Sequence, residues 1–243
     1  MIPIKNNLQR ANAARIIFYL LVAMSIISLY SHYLQYNLLN GVKNGIPVSM
    51  EVANTNDSRQ QIIAIINVLL LITSIVLFLM WMYRSYDNLF KLKNGEMSET
   101  PGWAVGYWFV PIVSLFKPYQ VMKEIWEETQ IAVLPETEKW NVKNGYIVGA
   151  WWTLYLMSNI SSYAVTFMFR DNSSIDGLML LTSALMFSNL FMLLNKVVTL
   201  VMINKIALHE KKLWEFVNER ATHTEGQPSE AAPNHDSMNP PAV

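Results

Sequence analysis

Ile62-Ile63-Ala64-Ile65-Ile66-Asn67-Val68-Leu69-Leu70-Leu71-Ile72-Thr73-Ser74-Ile75-Val76-Leu77-Phe78-Leu79-Met80-Trp81-Met82 contains no charged side chain and no proline. At about 1.5 Å of rise per residue, a helix over this run matches the ~30 Å hydrocarbon core of a bilayer. It lacks the polar face that a buried helix of a soluble bundle would need. The run is therefore read as a membrane span, and the rest of the chain is read outward from it.

Three more stretches have comparable length and apolarity, at about 14–34, 146–169 and 178–200. None holds a proline, and Tyr30, Tyr33, Trp81, Tyr83, Trp151 and Trp152 sit near span ends, where aromatic belts form. The expected fold is an all-α membrane protein with four transmembrane helices and an interfacial or re-entrant segment. The first span resembles a signal peptide in following Lys5, Arg10 and Arg15. Its apolar core is too long and no small-x-small cleavage site ends it, so it is read as a retained anchor.

Composition agrees. Of 243 residues, 52% are hydrophobic and only 15% charged, against about 25% charged in soluble domains. The formal net charge is zero, which excludes a strongly basic nucleic-acid binder. The absence of cysteine excludes disulfides, thiolate metal sites and thiol catalysis. No glycine-rich phosphate loop of the usual spacing occurs.

Lysines and arginines set the orientation. Three precede or open the first span, seven lie between the second and third, and four follow the fourth. Only Lys43, Arg59 and Arg170 fall in the alternate segments. By the positive-inside rule both termini and the central loop are expected to be cytoplasmic. Lys196, inside the fourth span, is read as snorkelling to the inner headgroups.

Outside the spans, the second helix is expected to start near Ser58 and overshoot to Lys93, stopped by Asn94-Gly95. Trp103 to Phe116 is apolar but too short to cross, is broken by Pro111, and would spoil the charge bias if it did cross. It should lie in the interface or dip in and return, within an interfacial segment 101–130. Pro118 suits the first turn of an amphipathic helix through Gln130. The fourth span is expected to run on into a cytoplasmic amphipathic helix over 203–219, with disorder over 220–243 and residues 1–13 forming a cytoplasmic N-terminus. Lys-Asn-Gly recurs at Lys43, Lys93 and Lys143 without matching flanks, and is read as a chance turn tripeptide.

Trp81, Tyr83, Arg84, Asn88 and Leu89 are followed by Pro101-Gly102-Trp103-Ala104-Val105-Gly106, Trp108, Pro111, Leu115-Phe116, Pro118-Tyr119 and Trp126. This ordered set resembles the bacterial membrane family of domain of unknown function 4328, over roughly Ile62 to Thr199. The resemblance implies a multi-spanning protein of the cytoplasmic membrane and brings no activity with it.

Candidate site residues follow from position and chemistry. Arg84 and Asn88 share a helix face at the inner boundary. Arg84 could hold a lipid phosphate or tie its helix to Asp87 or to Trp103–Phe116, the tether being the preferred reading. Trp103, Trp108 and Trp126 read as headgroup-level anchors, and Lys117 and Tyr119 stand beside them on the same face. Within the spans, Asn159, Asn189 and Asn195 are the amides of interest, with Asn159 and Asn189 expected to bond to each other. No nucleophile, acid–base pair or metal cluster is legible, so no catalytic residue, metal or cofactor is expected.

The leading reading is a non-enzymatic membrane module that binds lipid headgroups or a partner at its cytoplasmic face. A small transporter using the polar faces of spans three and four is the alternative, and a lipid-acting enzyme near Arg84 and Lys117 a more remote one. Membrane lipids are the expected partners, with a second copy or another protein as further candidates, and nucleic acid is not.

Overall fold

The structure, a computed structural model, describes residues 4–135, 137–138, 142–168 and 174–225, the last five of these by backbone alone. Six α-helices carry the fold: α1 (Leu8–Lys43), α2 (Met50–Leu92), α3 (Pro101–Gly106), α4 (Lys117–Ile131), α5 (Tyr146–Met168) and α6 (Ile175–Glu225). Two single 3-10 turns, Tyr107–Phe109 and Val113–Leu115, join α3 to α4, and the described residues contain no strand.

Among the described residues three helices, α1, α2 and α6, are long and apolar enough to cross a membrane, against the four expected. The expected third span has its helix at Tyr146–Met168, but Trp151, Trp152, Tyr155, Ser158, Asn159, Ser161 and Ser162 dilute its apolarity. Length was the right signal there; composition was not.

The long helices also run further than the apolar runs within them. Helix α2 begins at Met50, where Ser49 caps it by accepting from the Val52 N–H, and spans about 64 Å at 1.5 Å per residue. Helix α1 absorbs Asn40-Gly41, leaving Asn44-Gly45 as the turn. Residues 203–219 continue α6 without a break, and Ile203, Ile206, Leu213 and Val217 stay buried along it. Residues 220–225, expected to be disordered, complete that helix; 226–243 lie outside the described residues, as does Arg170. The stop after α2 is as expected: Asn94 and Gly95 take φ of 51° and 88°, and Gly95 N–H returns to the Phe90 carbonyl.

The long helices form a layer in the order α2, α1, α6, α5. Helix α1 runs antiparallel to both neighbours. Its far end is tied by the Lys43–Asp176 ion pair at 2.8 Å, its near end by Asn7 donating to Glu210 at 2.9 Å. Polar bonds fix the α1–α2 register: Arg59 to Ser31 at 3.0 Å, Gln60 to Gln35 at 2.6 Å and Asn67 to Ser28 at 3.0 Å. Each such bond between apolar helices contributes roughly 0.6–2 kcal/mol. The core is concentrated at the near end, where Trp81, Met82, Tyr86 and Leu89 of α2 meet Met122 and Ile125 of α4 and Met202 and Ile206 of α6. Toward the far end α2 is covered almost only by α1, and its isoleucines and leucines face outward.

Candidate functional site

The near end gathers nearly every feature with functional content, beginning with the segment between α2 and α4. Thr100 accepts from the Trp103 N–H and Pro101 occupies the first turn, so α3 starts sharply. The chain then climbs along the bundle until the Trp108 ring lies among Phe78 of α2 and Trp151, Trp152 and Tyr155 of α5, at centroid distances of 5.8–6.3 Å. It turns at Pro111-Ile112-Val113, where the Val113 N–H donates to the Pro111 carbonyl at 2.8 Å and Ile112 has φ 67°. This is a γ-turn of the strained hand, uncommon for a β-branched residue. On the return, Trp152 Nε1 donates to the Leu115 carbonyl at 3.0 Å. Phe109 and Ile112, 70% and 75% exposed, project from the tip together with Leu115 and Phe116. Expected as flat or re-entrant, the segment rises along α2 and α5 and comes back.

Two carboxylates fasten the base of this strap. Glu99 accepts from the Lys117 ammonium at 2.5 Å and from the Tyr107 hydroxyl at 2.7 Å, while that ammonium lies 5.3 Å from the Tyr107 ring centre. Glu124 accepts from the Tyr86 hydroxyl at 2.7 Å and the Ser98 N–H at 2.8 Å, and Tyr86 in turn accepts from the Glu99 N–H. The Tyr86 phenol is pushed well up, by burial first and then by its bond to Glu124. Burial raises the Glu99 carboxyl, but the bonds from Lys117 and Tyr107 outweigh it and leave the group below its usual value. The same bond to Glu99 holds Lys117 above its ordinary value.

A carboxyl held below its unfolded value stabilises the fold at higher pH and loses that contribution as pH falls through the folded value. Proteolysis within residues 95–100 should therefore be flat across neutral pH and accelerate below about pH 4, near the ordinary glutamate range. Acceleration between pH 7 and 9 would contradict this account, since Lys117 is held charged there.

The predicted site residues divide. Lys117 is committed to Glu99, and Tyr119 packs against the core. Trp126, expected at headgroup level, is 3% exposed, donates to the Lys143 carbonyl at 2.8 Å and belongs to the core. Trp108 is likewise internal, and only Trp103, 55% exposed, keeps an outward position. Asn88 clamps the N-terminal segment at two points: it accepts from the Lys5 N–H at 3.0 Å and donates to the Lys5 carbonyl at 2.7 Å. Arg84 has no tether. Its Nε is buried without a hydrogen-bond partner, and Asp87 pairs with Lys91 at 2.7 Å instead.

The amides act as links between helices, though not as expected. Asn195 donates to the Trp151 carbonyl at 3.0 Å and joins α6 to α5. Asn159 returns to the Tyr155 carbonyl of its own helix, and Asn189 donates to the Ser25 carbonyl of α1 at 3.2 Å. Counted from the Asn195–Trp151 level, Asn159 and Asn189 rise about 12 and 9 Å, so depth was correct and azimuth was not. Lys196 does not snorkel along its own helix; it crosses to the Ser25 hydroxyl at 2.6 Å.

One buried constellation carries no sequence signal. Glu210 accepts from Asn7 Nδ2 at 2.9 Å and from Trp81 Nε1 at 3.1 Å, so α1, α2 and α6 meet on one carboxylate. Asn7 Nδ2 also reaches the Ser85 hydroxyl and the Trp81 carbonyl. Beside them lies a void of about 10 Å³, bounded by Asn7, Ser85, Asn88, Thr129 and Glu210. No local spacing links Glu210 to Asn7, 203 residues away. Tyr86, Glu99 and Glu124 were missed for the same reason: their partners come from other elements. Among the described residues no three His, Asp or Glu side chains converge in a way that could hold a metal.

No curated protein and no solved structure matches this chain. A family model described as Domain of unknown function (DUF4328) matches residues 44–207, from the α1–α2 turn to most of α6. The match includes the strap, its carboxylate fastenings and Arg84, and omits Asn7 and Glu210. The chain therefore belongs to the family of domain of unknown function 4328.

Proposed function

We propose that this protein is a non-enzymatic multi-pass module of the bacterial cytoplasmic membrane, working through its near end, which faces the cytoplasm. The observation that carries this reading is the strap. Phe109, Ile112, Leu115 and Phe116 face outward at the tip, while Glu99, Tyr107, Lys117, Tyr86 and Glu124 lock the base with polar bonds. Apolar groups held outward above a charged base suit a leaflet interface and suit water poorly. The cation asymmetry supports the orientation: Lys5, Arg10, Arg84, Lys91, Lys93 and Lys117 stand at the near end, Lys43 and Arg59 at the far one.

Helices α2 and α6 both descend toward the near end, so α5 carries the chain back the same distance, sheltered along α6 despite its polar residues. The intramembrane amides are occupied in joining helices or in their own helix, which favours a packed module over a permeation path. Reporter tags inserted after residues 95 and 135 are expected to respond from the same, cytoplasmic compartment. Responses from opposite sides would remove this reading.

A further inference from the structure

Met80, Arg84 and Asn88 succeed one another at i, i+4 and i+8 along one edge of α2, over about 12 Å. A cation stands at each step. Arg10 of α1 donates from Nη1 to the Met80 carbonyl at 3.0 Å, the carbonyl that faces the Arg84 N–H within an α-helix. Arg84 supplies the second guanidinium. Lys5, exposed, is fixed in place by the two-point clamp of its backbone on Asn88.

None of these three side chains forms an ion pair among the described residues, and Arg84 Nε is buried with no hydrogen-bond partner at all. The carboxylates nearest in sequence and packing are already engaged, Asp87 by Lys91 and Glu210 by Asn7 and Trp81. Every other cation of the strap and of α2's last turns has its acid: Lys91 with Asp87, Lys93 with Glu128, Lys117 with Glu99. On α2 the contrast singles out Arg84, with Arg10 and Lys5 beside it. Two guanidinium forks on neighbouring turns, backed by a free ammonium, match the tetrahedral oxygens of a phosphate better than a single carboxylate.

We infer that Arg10, Arg84 and Lys5 form a binding site for a phosphate group, carried by an anionic lipid headgroup or by a free phosphate ester. The lipid source rests on the membrane reading above, which would put this edge at the inner headgroup level; the phosphate chemistry does not.

The test uses the full-length protein in a neutral detergent, titrated by native mass spectrometry with phosphatidylglycerol, phosphatidylcholine and glycerol 3-phosphate. Phosphatidylglycerol is expected to bind at least tenfold more tightly than phosphatidylcholine, and the R10A/R84A double variant to lose at least that factor. Arg84 has no protein partner, so R84M should unfold at the wild-type temperature without lipid while binding phosphatidylglycerol more weakly; it serves if the double variant does not fold. Displacement of the lipid by glycerol 3-phosphate at equal concentration would support the site and assign it a soluble ligand. Equal affinity for the two lipids, or wild-type binding by both variants, would overturn the site. Failure of the membrane reading shows itself separately, as a chain that stays soluble without detergent.

Discussion

Trp108→Ala is expected to lower stability by about 3–5 kcal/mol, as for large aromatic truncations in packed cores. Its indole brings the strap against Phe78 on α2 and against Trp151, Trp152 and Tyr155 on α5. Removing it leaves a cavity where the strap meets both helices, so the strap should detach as the bundle loosens. Trp108→Phe should lose far less: a ring remains, and the buried Nε1–H, which has no acceptor, disappears. Thermal unfolding in detergent would read both variants. An alanine variant within 1 kcal/mol of wild type, roughly a tenth of a typical domain's stability, would show that the strap is not packed as described.

The second large effect is expected at Glu210. Alanine there leaves Trp81 Nε1 without an acceptor in the junction of α1, α2 and α6, and takes from Asn7 Nδ2 its charged acceptor while the Ser85 hydroxyl and the Trp81 carbonyl remain. An unsatisfied buried donor costs roughly 1–3 kcal/mol and a lost hydrogen bond to a charged group about 1.5–3 kcal/mol, so the loss should be about 2–4 kcal/mol. Glu210→Gln keeps one acceptor oxygen in place and should lose no more than about half of that. The discriminating measurement is cleavage near residue 8 by a soluble protease, because Asn7 anchors the N-terminal segment through this carboxylate. Equal protection in wild type and Glu210→Ala would refute the anchoring role, whatever the melting temperature does.

What could be read from residue order was what depends on local physics. The apolar run at 62–82, the Asn94-Gly95 stop and the Pro118 start each follow from one segment's own composition and backbone preferences. Depth along a helix was readable too, as Asn159 and Asn189 show. The direction in which a side chain leaves its helix was not, because that depends on which neighbour packs on which side. Asn189 turned toward α1, Lys196 toward Ser25, and Glu210 inward onto Asn7 and Trp81. Arg84 and Asn88 were recognised as a pair on one face, yet they ended in opposite circumstances, one clamped on backbone and one without a partner. The run of α6 past Lys205, Lys211 and Lys212 follows its apolar stripe, Ile203, Ile206, Leu213 and Val217, which is a property of the segment itself.

The Asn88–Lys5 clamp has a consequence for how this protein can vary. Both bonds at position 5 are made by main-chain atoms, so they are blind to the side chain carried there. Any residue except proline, which lacks the N–H, satisfies the clamp equally well. Asn88 has less latitude, since its carboxamide sets an acceptor oxygen and a donor nitrogen side by side at the reach this clamp requires. The specificity of this clamp is thus written into α2, leaving position 5 open to mutational drift and to selection for its charge alone.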